Sequence, residues 1–393
     1  MDYTPDLLRR APDVEGPGLS ASDAADRLLL DESTDARAGV TADDIVVIGD
    51  GYGALTLGVA ASVASGPDAR ASGDADDAGT RSIRVHQDAL TGERALAANA
   101  VRAGMADAFT SHPLDASLVR GARVVLLRLP RSLDALEDIA GLIAAHASPE
   151  VVVFAGGRVK HMTLAMNDVL RAHFARVDVT HARQKSRVLI ARGPHAGRDP
   201  QARRADHDLP SLGAIAVCAY GGVFAGTGID IGTRLLLEHL PDTSPGDTRD
   251  ELVVDLACGT GVVAVALARR WPHTRIHASD QSAAAVASAR ATAAANGLPA
   301  RITVVRDDLL SALPAASTSF IALNPPFHSA AAVTDAIAPR LFADARRALR
   351  SGGELWCVWN SGLRYRSALE RLVGPTRQVA RNAKFTVTVS TAV

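Results

Sequence analysis

Asn324-Pro325-Pro326-Phe327 holds the residues in this chain whose types and spacing best suit chemistry. They follow a short apolar run, Ser319 to Leu323, of the kind that forms a strand. At the carboxyl end of a strand in an open α/β sheet, side chains reach the crevice where such sheets bind ligands. The Asn324 side-chain oxygen and the Pro325 carbonyl can each accept one N–H of an amino group. That would hold its nitrogen in line with an electrophilic methyl and draw out a lone pair otherwise delocalised into a conjugated ring. Two consecutive prolines fix φ and remove amide donors, so the loop is stiff and presents acceptors. Phe327 can stack on a flat substrate. His328 comes next; methylation of an amine by a sulfonium needs no strongly tuned base, so substrate contact or a structural part is expected of it. The plainer alternative is a strand ending in a proline turn, with Asn324 as a turn residue and Phe327 in the core.

A binding turn for the methyl donor lies upstream. In Val253-Val254-Asp255-Leu256-Ala257-Cys258-Gly259-Thr260-Gly261, an apolar strand runs into a glycine turn that opens a helix over Val262 to Arg270. Glycines permit positive φ and let a ligand approach the backbone. Asp255, at the strand end, suits a cationic amino-acid moiety and would repel a pyrophosphate. The next strand, Arg275 to Ala278, leads to Asp280, 19 residues past Gly261, where an acid can hold the two ribose hydroxyls of an adenosine ligand. A third strand, Ile302 to Val305, is followed by Arg306-Asp307-Asp308-Leu309, where Asp307 or Asp308 can accept from an adenine amino group. Ala257, Cys258, Gln281 and Leu309 are expected to line the same ligand. The spacing Gly259-x-Gly261-x-x-Ala264 with a later acid also satisfies the dinucleotide fingerprint. Asp255 and the third acid favour S-adenosylmethionine over NAD. Any one acid alone is equally readable as a loop or capping carboxylate; three at successive strand ends, in chain order, form a set.

The elements that must position these residues extend in both directions. A glycine-rich segment, Gly221 to Gly232, precedes the first strand and leads into an amphipathic helix. It is expected to fold over the methionine end of the cofactor, with Phe224 and Thr233 at the ligand and Thr233 or Asp230 capping the helix. Short β-branched runs alternate with Ala- and Leu-rich helical patterns throughout the chain, the signature of βαβ units around a parallel sheet. The first half repeats the motifs of the second in the same order. Ile45 to Gly53 resembles Leu252 to Gly261, with Gly51 and Gly53 set on Gly259 and Gly261. Ile83 to Ala100 resembles Arg275 to Ala291, and Val124 to Pro130 resembles Phe320 to Pro325. These correspondences predict a duplication. Val47 stands where the second half has Asp255 and no Asn-Pro-Pro-Phe occurs near Leu129-Pro130, so the first half should not bind cofactor productively; Asp88 survives near the second acid position and Gly51 and Gly53 are kept, which leaves a residual ligand pocket open there. After a strand over Ser186 to Arg192, the breaker- and charge-rich stretch to Pro210 reads as a linker. The expected organisation is a degenerate domain over 1–195, a linker over 196–210 and a catalytic domain over 211–393. Ala61 to Thr80, built of Ala, Gly, Ser and Asp, reads as a flexible surface insertion.

Composition narrows the class further. With 393 residues the chain exceeds one ordinary domain. Its apolar runs all break well before the roughly 18 residues of a membrane span. The N-terminus lacks a secretory signal pattern, so a cytoplasmic location is expected. Cys218, Cys258 and Cys357 are widely spaced without a zinc or disulfide pattern, so no metal is expected and buried thiols are the simplest reading. The formal net charge is -1, which gives no global attraction for nucleic acid and leaves any RNA contact to local patches. A monomer is the default.

These residues resemble the ribosomal RNA guanine-N2 methyltransferase family of the RlmG/RsmC type, in which a degenerate methyltransferase-like domain is fused to an active one. The resemblance spans nearly the whole chain. It rests on Gly222-Val223-Phe224 through Gly232-Thr233, Asp255 to Gly261, Asn324 to His328, Gly352-Gly353-Glu354-Leu355 and Asn382-Ala383-Lys384-Phe385. Phe154 to His161 and Gln184 to Ile190 look more like the large-subunit (23S) enzyme than the small-subunit (16S) one. It implies two tandem Rossmann-like class I methyltransferase domains, S-adenosylmethionine as cofactor, an rRNA guanine amine or a ribosomal assembly intermediate as substrate, and cytoplasmic action. It also implies RNA recognition by the first domain, for which Arg158, Lys160 and His161 are candidates, along with His328 and Lys384 in the second; each is also readable as a solvated surface charge.

Three rival readings differ in class. An N6-adenine or protein-glutamine methyltransferase would use the same Asn-Pro-Pro-aromatic loop, although the glutamine type carries a helical N-terminal domain that this pattern lacks. A nicotinamide-dependent reductase is supported by the glycine spacing alone. A non-enzymatic RNA-binding scaffold would be expected to have lost Asp255, Asp280 or Asn324.

Overall fold

A computed structural model of the protein describes residues 4–64, 82–210, 212–243, 251–326 and 331–393. Phe327, His328 and residues 65–80 of the expected insertion lie outside the described residues; Ala61–Ala64 close the helix Ala54–Ala64. The chain divides into two compact units, Met1–Gln201 and Ala202–Val393.

Among its described residues the first unit has seven strands: β1 (Ile45–Ile48), β2 (Ile83–His86), β3 (Phe109–Ser111), β4 (Val124–Arg128), β5 (Val152–Arg158), β6 (Phe174–Val179) and β7 (Ser186–Pro194). They form one sheet in the order β3-β2-β1-β4-β5-β7-β6, parallel except for β7, which runs antiparallel to both of its neighbours. Its central strands are apolar throughout, as in Ile45-Val46-Val47-Ile48, all buried. Strands covered by helices on both faces have no wet side on which to place polar residues.

The second unit opens with a hairpin, β8 (Arg203–Leu209) and β9 (Gly213–Ala219). Then come β10 (Leu252–Leu256), β11 (Arg275–Asp280), β12 (Ile302–Arg306), β13 (Thr318–Leu323), β14 (Leu349–Asn360), β15 (Thr376–Arg381) and β16 (Phe385–Thr391). Their order, β12-β11-β10-β13-β14-β16-β15, repeats that of the first sheet strand for strand. Registers coincide as well: Val47 pairs with Val85 and Leu126, as Asp255 pairs with Ala278 and Ala322. The expected duplication is therefore present in topology and register. The Trp271 and Phe320 rings meet edge-on at 4.9 Å, and Phe320 stacks at 6.1 Å on Trp356, filling one face of the second sheet.

The expected linker is structured. Gly193 and Pro194 belong to β7. Arg198 is tied to the first unit through Glu137 and the Gly141 carbonyl. Arg203–Leu209, which reads as a charged loop, is a strand whose polar residues alternate outward. Its partner β9 is held by the helix Ala283–Ala295 and the residue after it. Ser288 and Thr292 accept from the backbone N–H groups of Tyr220 and Cys218, and Asn296 accepts from that of Ala216. Residues four apart share one helix face, so this polar stripe completes an otherwise unpaired strand edge.

Candidate active site

Asn324 stands directly beyond β13, half-buried, with Pro325 buried behind it and Pro326 exposed. Its Nδ2 donates to Thr233 Oγ1 at 2.9 Å and to Asp230 Oδ2 at 3.3 Å. Asp230 is the N-cap of the helix Ile231–His239 and accepts from the backbone N–H groups of Gly232 and Thr233 at 2.9 and 3.2 Å. The Thr233 hydroxyl in turn donates to Asp230. Asn324 Oδ1 is buried and accepts no hydrogen bond among the described residues. Thr233, expected at the cofactor, thus has its hydroxyl engaged by Asn324 and Asp230. Of the two capping candidates, Asp230 is the cap.

The glycine turn follows β10. Asp255 is 3% exposed and its Oδ2 accepts from the Ala264 backbone N–H at 2.9 Å. Burial pushes its carboxyl up to about 8, the neighbouring Asp280 charge adds to the rise, and the Ala264 amide opposes it. A buried acid this reluctant to ionise would regain its charge beside a cationic group. Ala257 takes positive φ, and Cys258 N–H bonds the Ser279 carbonyl at 3.0 Å, anchoring the turn to β11. Gly261 has φ +74°, and a Cβ there would lie 2.8 Å from that of Ala289, so the turn requires glycine. Gly259, at φ +53°, faces open space with nothing within 4 Å of an added Cβ, as a ligand cradle would. Asp280 accepts from the backbone N–H groups of Gly259 (3.0 Å) and Ser282 (2.9 Å), joining the β10 and β11 ends. Gln281 lends its carbonyl to Arg306.

The two acids after β12 differ. Asp307 is buried and accepts from the Ser311 hydroxyl and, at 2.8 Å, from the Ala312 backbone N–H, building the following turn. Asp308 pairs with Arg340 at 3.6 Å. Leu309 takes φ +64°, and its carbonyl accepts from Ser279 Oγ at 2.7 Å. Phe224 is 50% exposed on the glycine-rich loop. Lys384 is exposed in the turn between β15 and β16, and the neighbouring Phe385 ring lies 3.0 Å from where a Cβ on Gly232 would be.

The first unit rebuilds the same triangle with other chemistry. Carrying the β10–β13 register across to β1–β4 sets Arg128 where Asn324 stands. Arg128 donates to Asp23 at 2.8 Å and Asp26 at 2.7 Å, the N-cap and third residue of the helix Ala24–Glu32. Asp230 and Thr233 hold those two positions on their own helix. Gln87, buried, stands where Asp280 does by register, one residue before the Asp88 to which the sequence points. The helix-start amide taken by Asp255 in the second unit is matched by the Thr56 N–H, which goes at 2.7 Å to the buried Asp50. Burial pushes Asp26 up to about 6, with Asp50 and Asp23 adding and Arg128 opposing. Where the second unit leaves an acceptor without a partner among the described residues, the first places a cation held by two carboxylates. Further along the same unit, Lys160 and His161 are exposed and Arg158 half-exposed, the last 3.9 Å from Asp23. Slight burial, then Arg131, Lys160 and Arg158, hold His161 below its ordinary pKa, which marks a clustered positive patch.

The sheet order, the glycine turn and the acids at successive strand ends define a class I S-adenosylmethionine-dependent methyltransferase carrying a second, degenerate copy of its own fold. Residues 4–195 match the RLMG N-terminal domain family and residues 214–389 the methyltransferase small domain family. The chain is 36% identical to the ribosomal RNA large subunit methyltransferase G of Streptomyces avermitilis, over 97% of this chain and 95% of that one. It is 35% identical to the protein of the same name in Pseudomonas aeruginosa, over 97% and 96%. The chain belongs to the ribosomal RNA large subunit methyltransferase G family. In fold it matches a T. thermophilus 16S rRNA N2 methyltransferase (RsmC), solved with AdoMet and guanosine, at TM-score 0.69 and 21% identity, covering 97% of each chain. No helix among the described residues is long and apolar enough to cross a membrane, and no group of three or more His, Cys, Asp or Glu able to hold a metal lies among them.

Proposed function

We propose that the second unit transfers the methyl group of S-adenosylmethionine to the exocyclic N2 amine of a guanine in large-subunit (23S) ribosomal RNA. The observation that carries this reading is the buried Asn324 Oδ1, which has no partner among the described residues, an acceptor whose desolvation calls for a donor. In this reading Asn324 Oδ1 and the Pro325 carbonyl accept the two N–H bonds of the guanine amine. They hold its nitrogen toward the sulfonium and favour the tetrahedral geometry in which the lone pair attacks. The bound cofactor supplies an electrophilic methyl. As the N–CH3 bond forms, the C–S bond breaks and S-adenosylhomocysteine leaves; the surplus proton passes from nitrogen to water.

Asp255 faces the cofactor ammonium, Asp280 the ribose hydroxyls and the Asp307–Asp308 pair the adenine amine, with Phe224, Ala257, Cys258, Gly259, Gly261, Gln281 and Leu309 around it. Phe327 stacks on the guanine. Arg158, Lys160 and His161 in the first unit, with Lys384 and His328 in the second, meet RNA phosphates. The enzyme works as a cytoplasmic monomer on rRNA or an assembly intermediate.

The test is transfer of labelled methyl to rRNA from a strain lacking the protein, followed by nucleoside analysis, with Asn324→Ala as control. N2-methylguanosine in large-subunit RNA, absent with the variant, is the expected result. Label in small-subunit RNA, in N6-methyladenosine or in protein would move the substrate assignment.

A further inference from the structure

We infer that Asp230, 94 residues upstream of Asn324, is a positioning residue that fixes which end of the Asn324 amide faces the substrate. A carboxamide presents an acceptor at one end and a donor at the other, and the two ends are nearly equal in shape. Only one orientation accepts from an amine; the other sets N–H against N–H. The choice is made by what the far end of the amide meets.

Here it meets two acceptors. Asp230 is a carboxylate whose Oδ2 lies 3.3 Å from Asn324 Nδ2. Thr233 has directed its hydroxyl proton to Asp230, so its oxygen accepts from Nδ2 at 2.9 Å. Flipping the amide would place Oδ1 against both, replacing two attractions by two repulsions at a part-buried point. Asp230 therefore acts on Asn324 directly and again through Thr233. The result is a buried Oδ1 that, among the described residues, is left for substrate.

Helix capping alone does not account for this. The capping is done by Oδ1 of Asp230, which takes the Gly232 and Thr233 amides, whereas Oδ2 receives the Thr233 hydroxyl and the Asn324 amide. The first unit shows the reach to be built into the fold. Its cap Asp23 and third helical residue Asp26 hold Arg128, the residue at the corresponding strand end. There the held group is a cation with no acceptor to offer.

The inference rests on the proposed role of Asn324, and the experiment separates the two. Asp230→Asn keeps a good N-cap, since Asn and Asp cap about equally well, but supplies an amide that can also donate and so no longer dictates the Asn324 orientation. Thr233→Val, of similar size, removes the relay without touching the cap. Each full-length variant is assayed for methyl transfer to undermethylated rRNA, for S-adenosylhomocysteine affinity and for Tm. Expected for both are kcat lowered by about 10- to 100-fold, with Tm and S-adenosylhomocysteine affinity near wild type. In an Asn324→Ala background, Asp230→Asn should cost nothing further, because its effect passes through the missing amide. Wild-type kcat in Asp230→Asn, or an equal further loss when it is added to Asn324→Ala, overturns the inference while leaving Asn324 in its role. A wild-type enzyme that methylates no guanine removes the foundation of both.

Discussion

Arg128 occupies, in the first unit, the strand-end position that Asn324 occupies in the second, and the two reach toward matching points on matching helices. Two changes of side chain, Arg128 in place of Asn324 and Asp26 in place of Thr233, separate a cluster of ion pairs from a site that leaves an acceptor open.

Breaking the Arg128 cluster should be costly. Asp23, Asp26 and Asp50 gather around one cation whose side chain is 24% exposed. Breaking a buried ion pair costs about 3–5 kcal/mol; allowing for the partial exposure, Arg128→Met should destabilise the first unit by about 2–4 kcal/mol. Urea denaturation measures this. S-adenosylhomocysteine affinity should stay within about twofold, and a large loss of it would show that the first unit takes part in cofactor binding.

Asp255 gives a pH dependence with a definite sign. Its folded pKa, about 8, lies above the ordinary carboxyl value of 3.8. Folding therefore favours its neutral form, and the ligand-free protein should lose stability as pH rises from about 4 to 8. A ligand ammonium pulls the other way, because it needs the carboxylate. Affinity for S-adenosylhomocysteine should rise between pH 6 and 7.5, by up to about tenfold per unit, while the ligand amine stays largely charged. Asp255→Asn should bind weakly with a flat profile and, free of ligand, match or exceed wild-type stability at pH 8. A pH-independent wild-type affinity in calorimetry removes Asp255 from the ammonium role.

The two turn glycines should fail differently. At Gly261 a methyl meets Ala289 at 2.8 Å in a backbone already at φ +74°. Gly261→Ala should lower stability by about 1–3 kcal/mol. At Gly259 the added methyl enters empty space, so Gly259→Ala should cost only the strain of its φ +53° backbone, about 1–2 kcal/mol in denaturation, yet weaken cofactor binding by filling the cradle. Equal effects on binding and stability at both positions would contradict that division.

How much of this is legible in sequence depends on distance along the chain. Asp255 to Gly261 and Asn324 to Pro326 can be read because a strand, its turn and the next helix are local. The duplication can be read because motif order survives divergence. Asp230 can be recognised as a cap, since capping is a matter of two or three residues, but its second oxygen meets a residue 94 positions on, and no local pattern encodes that. Motif matching looks for the first unit's buried acid at Val47, on the strand, whereas the structure has it at Asp50 in the turn: the helix-start amide needs an acceptor, not a particular position for it. Arg203–Leu209 reads as linker because its charges resemble those of a loop, yet their alternation is the sign of a strand with one wet face.

With a net charge of -1, attraction to RNA must come from patches, and the cluster of Arg131, Arg158, Lys160 and His161 is the first to test. Arg131 and Lys160 are exposed, so Arg131→Gln with Lys160→Gln should leave Tm unchanged. Removing one cation from the phosphates it neutralises lowers the slope of log affinity against log salt by about 0.7–0.9. The double variant should thus reduce the salt slope of rRNA binding by about 1.5 and raise KM for rRNA at physiological salt. Its kcat should hold, since neither residue belongs to the site around Asn324. An unchanged slope in filter binding would mean that the patch is solvated surface charge, and RNA recognition would have to be sought elsewhere on the chain.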